Sequence, residues 1–86
     1  MRRETAAEAR ARVAAADRRE RETFPRCLAR AMDGADVDAA ELAGAVGVTE
    51  KTVRGWLDGA GMPGMANLKA AARVLGTETG ALLGRS

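Results

Sequence analysis

Apolar residues recur every three or four positions through most of this chain and never alternate as they would along a half-buried strand. The first stripe is Ala6, Ala9, Val13 and Ala16, within residues 3–22, a stretch rich in helix formers and free of Gly and Pro. It predicts a helix whose apolar face is nearly all alanine. Such a face buries little area, so the segment is marginal as a helix without a partner. Asp17 and Arg21 support it at i,i+4, while Glu4 and Glu8 oppose it. Thr23-Phe24-Pro25 then predicts a break, because Pro25 lacks an amide donor and disfavours helix at Phe24. A new helix is expected from there, with Pro25 in its first turn, Phe24, Leu28, Ala31 and Met32 on one face, and Gly34 at its end.

Asp38 opens the next unit as an N-cap, with Glu41 three residues later in the capping-box position. Leu42, Ala43 and Val46 give its apolar face, and Gly47 ends it in a tight turn. Thr49 caps the following helix, whose buried face is Val53, Trp56 and Leu57. Gly59, Gly61 and Pro63 mark a loop. Met65, Leu68, Ala71, Ala72 and Leu75 trace a further helix closed by Gly76, and Thr77 is expected to cap a short last helix ending at Leu82-Leu83-Gly84.

Composition narrows the chemistry. Twenty of the 86 residues are Ala, with one Phe, one Trp and no Tyr, so the core is thin and the class is all-α. There is no His, and the single Cys can form neither an intramolecular disulfide nor a cysteine metal cluster. No nucleophile–base pair assembles from the remaining residues, so an enzyme is not expected, and no cofactor or small-molecule ligand is implied. The charged N-terminus lacks the apolar core of a secretory signal, and no run of about 18 apolar residues spans a bilayer. A reducing cytoplasm is the expected compartment. Cys27 and Trp56 read as packed residues rather than as a redox sensor and a stacking platform.

Charge is unevenly divided. Residues 1–31 carry nine Arg against five acids, net +4, whereas residues 32–86 carry five bases against seven acids, net −2. The chain therefore divides into a basic Ala/Arg-rich arm, residues 1–22, helical or partly disordered, and a domain, residues 23–84. A basic arm on a near-neutral domain suits contact with a polyanion, and equally a solvated helix.

Residues 38–57 read as helix, glycine-centred turn, helix, with Ala43, Val48 and Val53 filling the corner. The result is a second helix held out with its N-terminus exposed, of a size to enter the major groove of B-DNA. The run LAGAVGVTEKTVRGWLDG, followed by Pro63 and NLKAAARVLG, resembles the Cro/repressor-type (xenobiotic-response-element type) helix-turn-helix family over roughly residues 23–84. The resemblance implies a five-helix repressor-like domain, here preceded by the extra basic helix or arm, and a small sequence-specific transcriptional regulator without an effector domain. It implies double-stranded DNA as partner, association with the nucleoid when bound, and a homodimer on a two-fold operator, its contact drawn from Leu82 and Leu83, from Met62 and Met65, or from the arm.

The DNA-facing positions of the family fall on Thr49, Glu50, Lys51, Thr52, Arg54 and Gly55. Lys51 and Arg54 suit guanine edges or phosphates, Thr49 and Thr52 suit phosphate or a thymine methyl, and Glu50 suits either a cytosine amine or Arg54 itself. Gly55 weakens its helix and allows a close backbone approach. The departures are equally specific. Met32 and Leu57 stand where many members pair Arg with Glu, a double replacement by hydrophobes that burial tolerates. Ala39 replaces a Gln that lies beside DNA. The loop from Asp58 to Met62 brings no cation, so the arm residues Arg2, Arg3, Arg10, Arg12, Arg18, Arg19 and Arg21 are expected to supply phosphate or minor-groove contacts. The competing reading is a protein-interaction module on a helix-turn-helix scaffold, adaptor- or antitoxin-like, with weak or no DNA binding; Ala39, Gly55 and Asp58 favour it.

Overall fold

Helix α1 runs without interruption from Ala6 to Ala35, 30 residues, and carries Pro25 in its interior. The computed structural model describes residues 5–85, apart from the side chains of residues 12–17. Thr5 caps α1 by accepting from the Glu8 amide at 3.1 Å. The break expected at residues 23–25 does not occur, and the arm helix and the first domain helix are one. An interior proline costs roughly 3 kcal/mol. Against it, Phe24 and Leu28 are completely buried on the same face, each contributing about 1.5–3 kcal/mol. The chain's far end also grips α1 here. The Thr23 hydroxyl donates to the Arg19 carbonyl at 2.8 Å and lies 3.1 Å from that of Leu83. Glu20 forms an ion pair with Arg85. Local proline chemistry thus loses to tertiary contacts made on either side of it.

The end of α1 also differs from expectation. Gly34 stays helical, and Asp36 takes the left-handed conformation two residues later, at φ 55°. The Val37 amide then closes the helix on the Met32 carbonyl at 3.0 Å. A short polar side chain tolerates that conformation better than most non-glycine residues.

Helix α2 spans Ala39–Val46 and opens with the predicted capping box. The Glu41 amide donates to Asp38 Oδ1 at 2.8 Å, and the Asp38 amide donates back to Glu41 Oε1 at 3.2 Å. Gly47, at φ 90°, turns the chain, and the amides of Gly47 and Val48 both donate to the Ala43 carbonyl. Helix α3, Glu50–Asp58, follows at once and ends on Gly59 at φ 78°. Helix α4 covers Met65–Val74. The last helix, α5, is a single turn, Thr79–Leu82, whose N-cap is Glu78 rather than Thr77.

Among the described residues there are five α-helices and no strand. Helix α3 packs on α1 and α2, α4 packs on α2 and α5, and α5 closes on α1. The core is Phe24, Leu28 and Met32 of α1, Leu42 and Ala43 of α2, Val53 and Trp56 of α3, and Leu68, Ala71, Ala72 and Leu75 of α4, closed by Leu82 and Leu83. Burial of Leu82 and Leu83 removes them as a surface for a second copy; Met62 and Met65 are exposed instead, Met65 at 59%. No described helix is long and apolar enough to cross a membrane. The molecule measures 50 × 22 × 20 Å, the long dimension matching a helix of about 45 Å.

Candidate nucleic-acid interface

Three devices aim α3. Gly47 supplies the left-handed turn that an L side chain resists. Buried Ala43 and Val53, with half-buried Val48, fill the corner between α2 and α3. Thr49 starts the helix cleanly, its hydroxyl accepting from the Thr52 amide at 3.1 Å and lying 2.9 Å from the Thr52 hydroxyl. Val53 and Trp56 anchor one side of α3 in the core. The other side, where residues one turn apart line up, carries Lys51, Gly55 and Asp58, with Arg54 beside them.

Thr49, Glu50, Lys51, Thr52 and Arg54 are all exposed, and Gly55 is half-buried. All six sequence-derived positions therefore lie on one short helix and its cap. Two of the cations and anions are not independent. Arg54 donates to Glu50 Oε1 from Nη2 at 2.7 Å and from Nε at 3.2 Å. That hydrogen bond, and then the carboxylate's charge, raise the Arg54 pKa above its ordinary value. Glu50 is thus the partner of Arg54 in the free protein. Lys51 is the cation of α3 without an ion pair among the described residues. A Cβ added to Gly55 would meet nothing within 4 Å, so the protein's own packing does not require glycine there.

Ala39 packs against the core. Met32 is buried and Leu57 half-buried, and both line a cleft of about 500 Å³ whose rim carries Asp33, Asp36, Asp38 and Glu41. This acid-rimmed apolar cleft was not legible in the sequence, because its carboxylates come from the end of α1 and the start of α2 and are unremarkable until the two meet.

In the arm, Arg10, Arg18, Arg19 and Arg21 are exposed along α1. Arg10 Nε lies 3.4 Å from the Ala6 carbonyl. Arg2 and Arg3, and the Arg12 side chain, lie outside the described residues. Arg21 stands beside the loop that follows α3, lining a small cleft with Gly59, Ala60, Gly61 and Met62. Trp56 is core, as expected, and Cys27 is a half-buried free thiol. Among the described residues no group of His, Cys, Asp and Glu side chains is arranged to hold a metal ion. In comparisons with protein-family models, curated proteins and solved structures, the chain gives no significant match in any of the three.

Proposed function

We propose that the protein is a small sequence-specific DNA-binding regulator of the Cro/repressor helix-turn-helix type, with α3 as the recognition helix. The observation that carries this reading is the disposition of α3. Its N-terminal turn is capped and solvent-facing, with Lys51 and Arg54 directed away from the body beyond the Gly47 bend. A helix so presented fits the major groove, where Lys51 and a released Arg54 reach guanine edges or phosphates. Thr49 and Thr52 flank them as phosphate or thymine contacts, and Gly55 lets the helix sit close. The arm adds cationic charge along α1. Affinity from one such domain is modest, so a homodimer on a two-fold site is the working form. No catalytic role, cofactor or small-molecule ligand belongs to this reading.

The test is duplex binding by fluorescence anisotropy at low and moderate salt, with wild type beside Lys51→Ala/Arg54→Ala. Salt-sensitive binding that the double variant weakens supports the reading. Binding that is absent, or indifferent to both salt and substitution, overturns it.

A second reading is favoured by one specific feature, the cleft over Met32 and Leu57. Its apolar floor and acidic rim suit a basic amphipathic peptide. A protein-interaction module would use that cleft and leave DNA unbound in the same titration.

A further inference from the structure

We propose that the cleft over Met32 and Leu57 is filled by the N-terminal half of α1 from a second copy of the chain, the two α1 helices lying antiparallel about a two-fold axis. The proposal rests on the reading of that cleft as a seat for a basic helix, names the helix, and is independent of what α3 binds. The cleft has a volume of about 500 Å³ and an apolar floor; Asp33, Asp36, Asp38 and Glu41 form its rim, and no cation lines it. Asp38 and Glu41 are held in the α2 capping box. Asp33 and Asp36 make no side-chain hydrogen bond or ion pair among the described residues. Arg30, the nearest cation along the helix, neither lines the cleft nor pairs with Asp33. The chain's own arm cannot fold back to neutralise the rim. Because α1 is unbroken, even Arg18 stays about 22 Å from Asp33 along the helix axis.

The charge order along one side of α1 points to a second copy. Arg18, Glu22, Arg26, Ala29, Asp33 and Asp36 follow one another at steps of three or four residues, which sets them on one side of the helix, and all six are exposed. Glu22 and Arg26 stand in the favourable i,i+4 order for an ion pair, yet neither is paired among the described residues. This side points away from the buried Phe24 and Leu28, so two copies can bring it together with their folded bodies outward. From N- to C-terminus the stripe begins basic and ends acidic. A parallel partner would set like charges together, whereas an antiparallel one sets unlike charges together. With the axis between Glu22 and Arg26, each Glu22 faces Arg26 of the partner subunit. Each Arg18 then comes within one turn of Asp33 of the partner subunit. Ala11, exposed on the same side of the arm, lies over the apolar floor of the cleft. Every contact is made twice, as an isologous interface requires, and the complementary charges fix the register.

The experiment is sedimentation equilibrium of the full chain from micromolar to millimolar concentration. It compares wild type, Arg18→Glu, Asp33→Arg and an equimolar mixture of the two variants, with circular dichroism of each. Wild type is expected to pass from monomer to dimer. Each variant alone sets like charges against each other twice and is expected to associate more weakly, on the order of tenfold. Both positions are exposed, so helix content stays unchanged. In the mixture each altered side chain meets its complement, and association is expected to return towards wild-type strength. A separate titration of ¹⁵N-labelled wild type, at a concentration where it is monomeric, uses a synthetic Leu/Arg amphipathic helix and reads the cleft through the amides of Asp33, Val37 and Leu57. A wild type that stays monomeric, variants that associate as wild type does, or a mixture no tighter than its components overturns the arm as occupant. If the synthetic helix still shifts those amides, the cleft remains a seat for a basic helix and only its occupant is wrong. Silence towards the synthetic helix, with a monomeric wild type, overturns both.

Discussion

Arg54 and Glu50 face each other one turn apart on α3, joined by two hydrogen bonds to a single carboxylate oxygen, with side chains 67% and 45% exposed. The guanidinium that the recognition reading most needs is therefore neutralised before a partner arrives. Glu50→Gln removes the competing charge while keeping the helix start. Its expected effect is tighter binding to random duplex, on the order of fivefold at low salt, with a salt slope steeper by about one. Anisotropy titrations at several salt concentrations check this. Weaker binding would instead make Glu50 a direct contact.

Gly55 carries a different expectation. A helix-interior glycine costs about 1 kcal/mol relative to alanine, and nothing within the protein requires it. Gly55→Ala is expected to raise the melting temperature by about 4–8 °C and to lower duplex affinity by holding α3 off the groove floor. Gly34→Ala, also free of neighbours within 4 Å, is the control: similar stabilisation with unchanged affinity. Calorimetry and anisotropy on both variants separate a stability effect from a contact effect.

At the junction of α1 with the chain's end, Gly84 sits at φ 77°, and a Cβ there would stand 2.9 Å from Thr23 Oγ1 and 3.1 Å from Thr23 Cβ. Gly84→Ala is expected to destabilise the protein by about 2 kcal/mol, from backbone strain and this clash. Thr23→Ala removes the oxygen, so the double variant should cost less than the sum of the two by about 0.5–1 kcal/mol. Urea denaturation of the four proteins closes the cycle. Simple additivity would show that the two residues do not press on each other.

Truncation of the arm must respect the same junction. Removing residues 1–19 leaves Glu20 with Arg85 and Thr23 with Leu83, and takes away six Arg against three acids. The shortened protein should melt near the wild-type temperature and bind duplex with a markedly flatter salt slope. Removal through residue 22 also deletes Glu20, and is expected to lower the melting temperature as well. Retention of the full salt slope by the shorter truncation would assign the arm to something other than phosphate.

Local signals in the sequence were the trustworthy ones. The Asp38–Glu41 capping box, the Gly47 turn and the Thr49 cap each rest on residues within four positions of one another, and each forms as read. Most core positions were also legible, because Phe24, Leu28, Leu42, Val53, Trp56 and Leu68 follow helical spacing. Pro25 is a local stop signal overruled by contacts distant in sequence, of which that of Thr23 with Leu83, 60 residues apart, is the clearest. Gly34 is passed for a local reason, since Asp36 takes the left-handed position two residues later. Met65 fits the helical stripe yet stays exposed, because Leu68, Ala71 and Ala72 already fill the surface that α4 buries. The site followed the same rule. The exposed positions of α3 could be named in advance, whereas the approach of Arg21 to the following loop depended on where α1 lands.

The unbroken passage of α1 through Pro25 changes what its outer half can be used for. A floppy tail searches a sphere and surrenders entropy whenever it settles. A stiff extension of a core helix works instead as a measuring rod, since about 1.5 Å of rise per residue sets Arg10 and Arg18 at fixed distances from Phe24. Spacing along any target surface is then gauged by counting residues, and inserting or deleting one between Arg18 and Phe24 would rotate Arg10 and Arg18 by about 100° while leaving the folded body untouched.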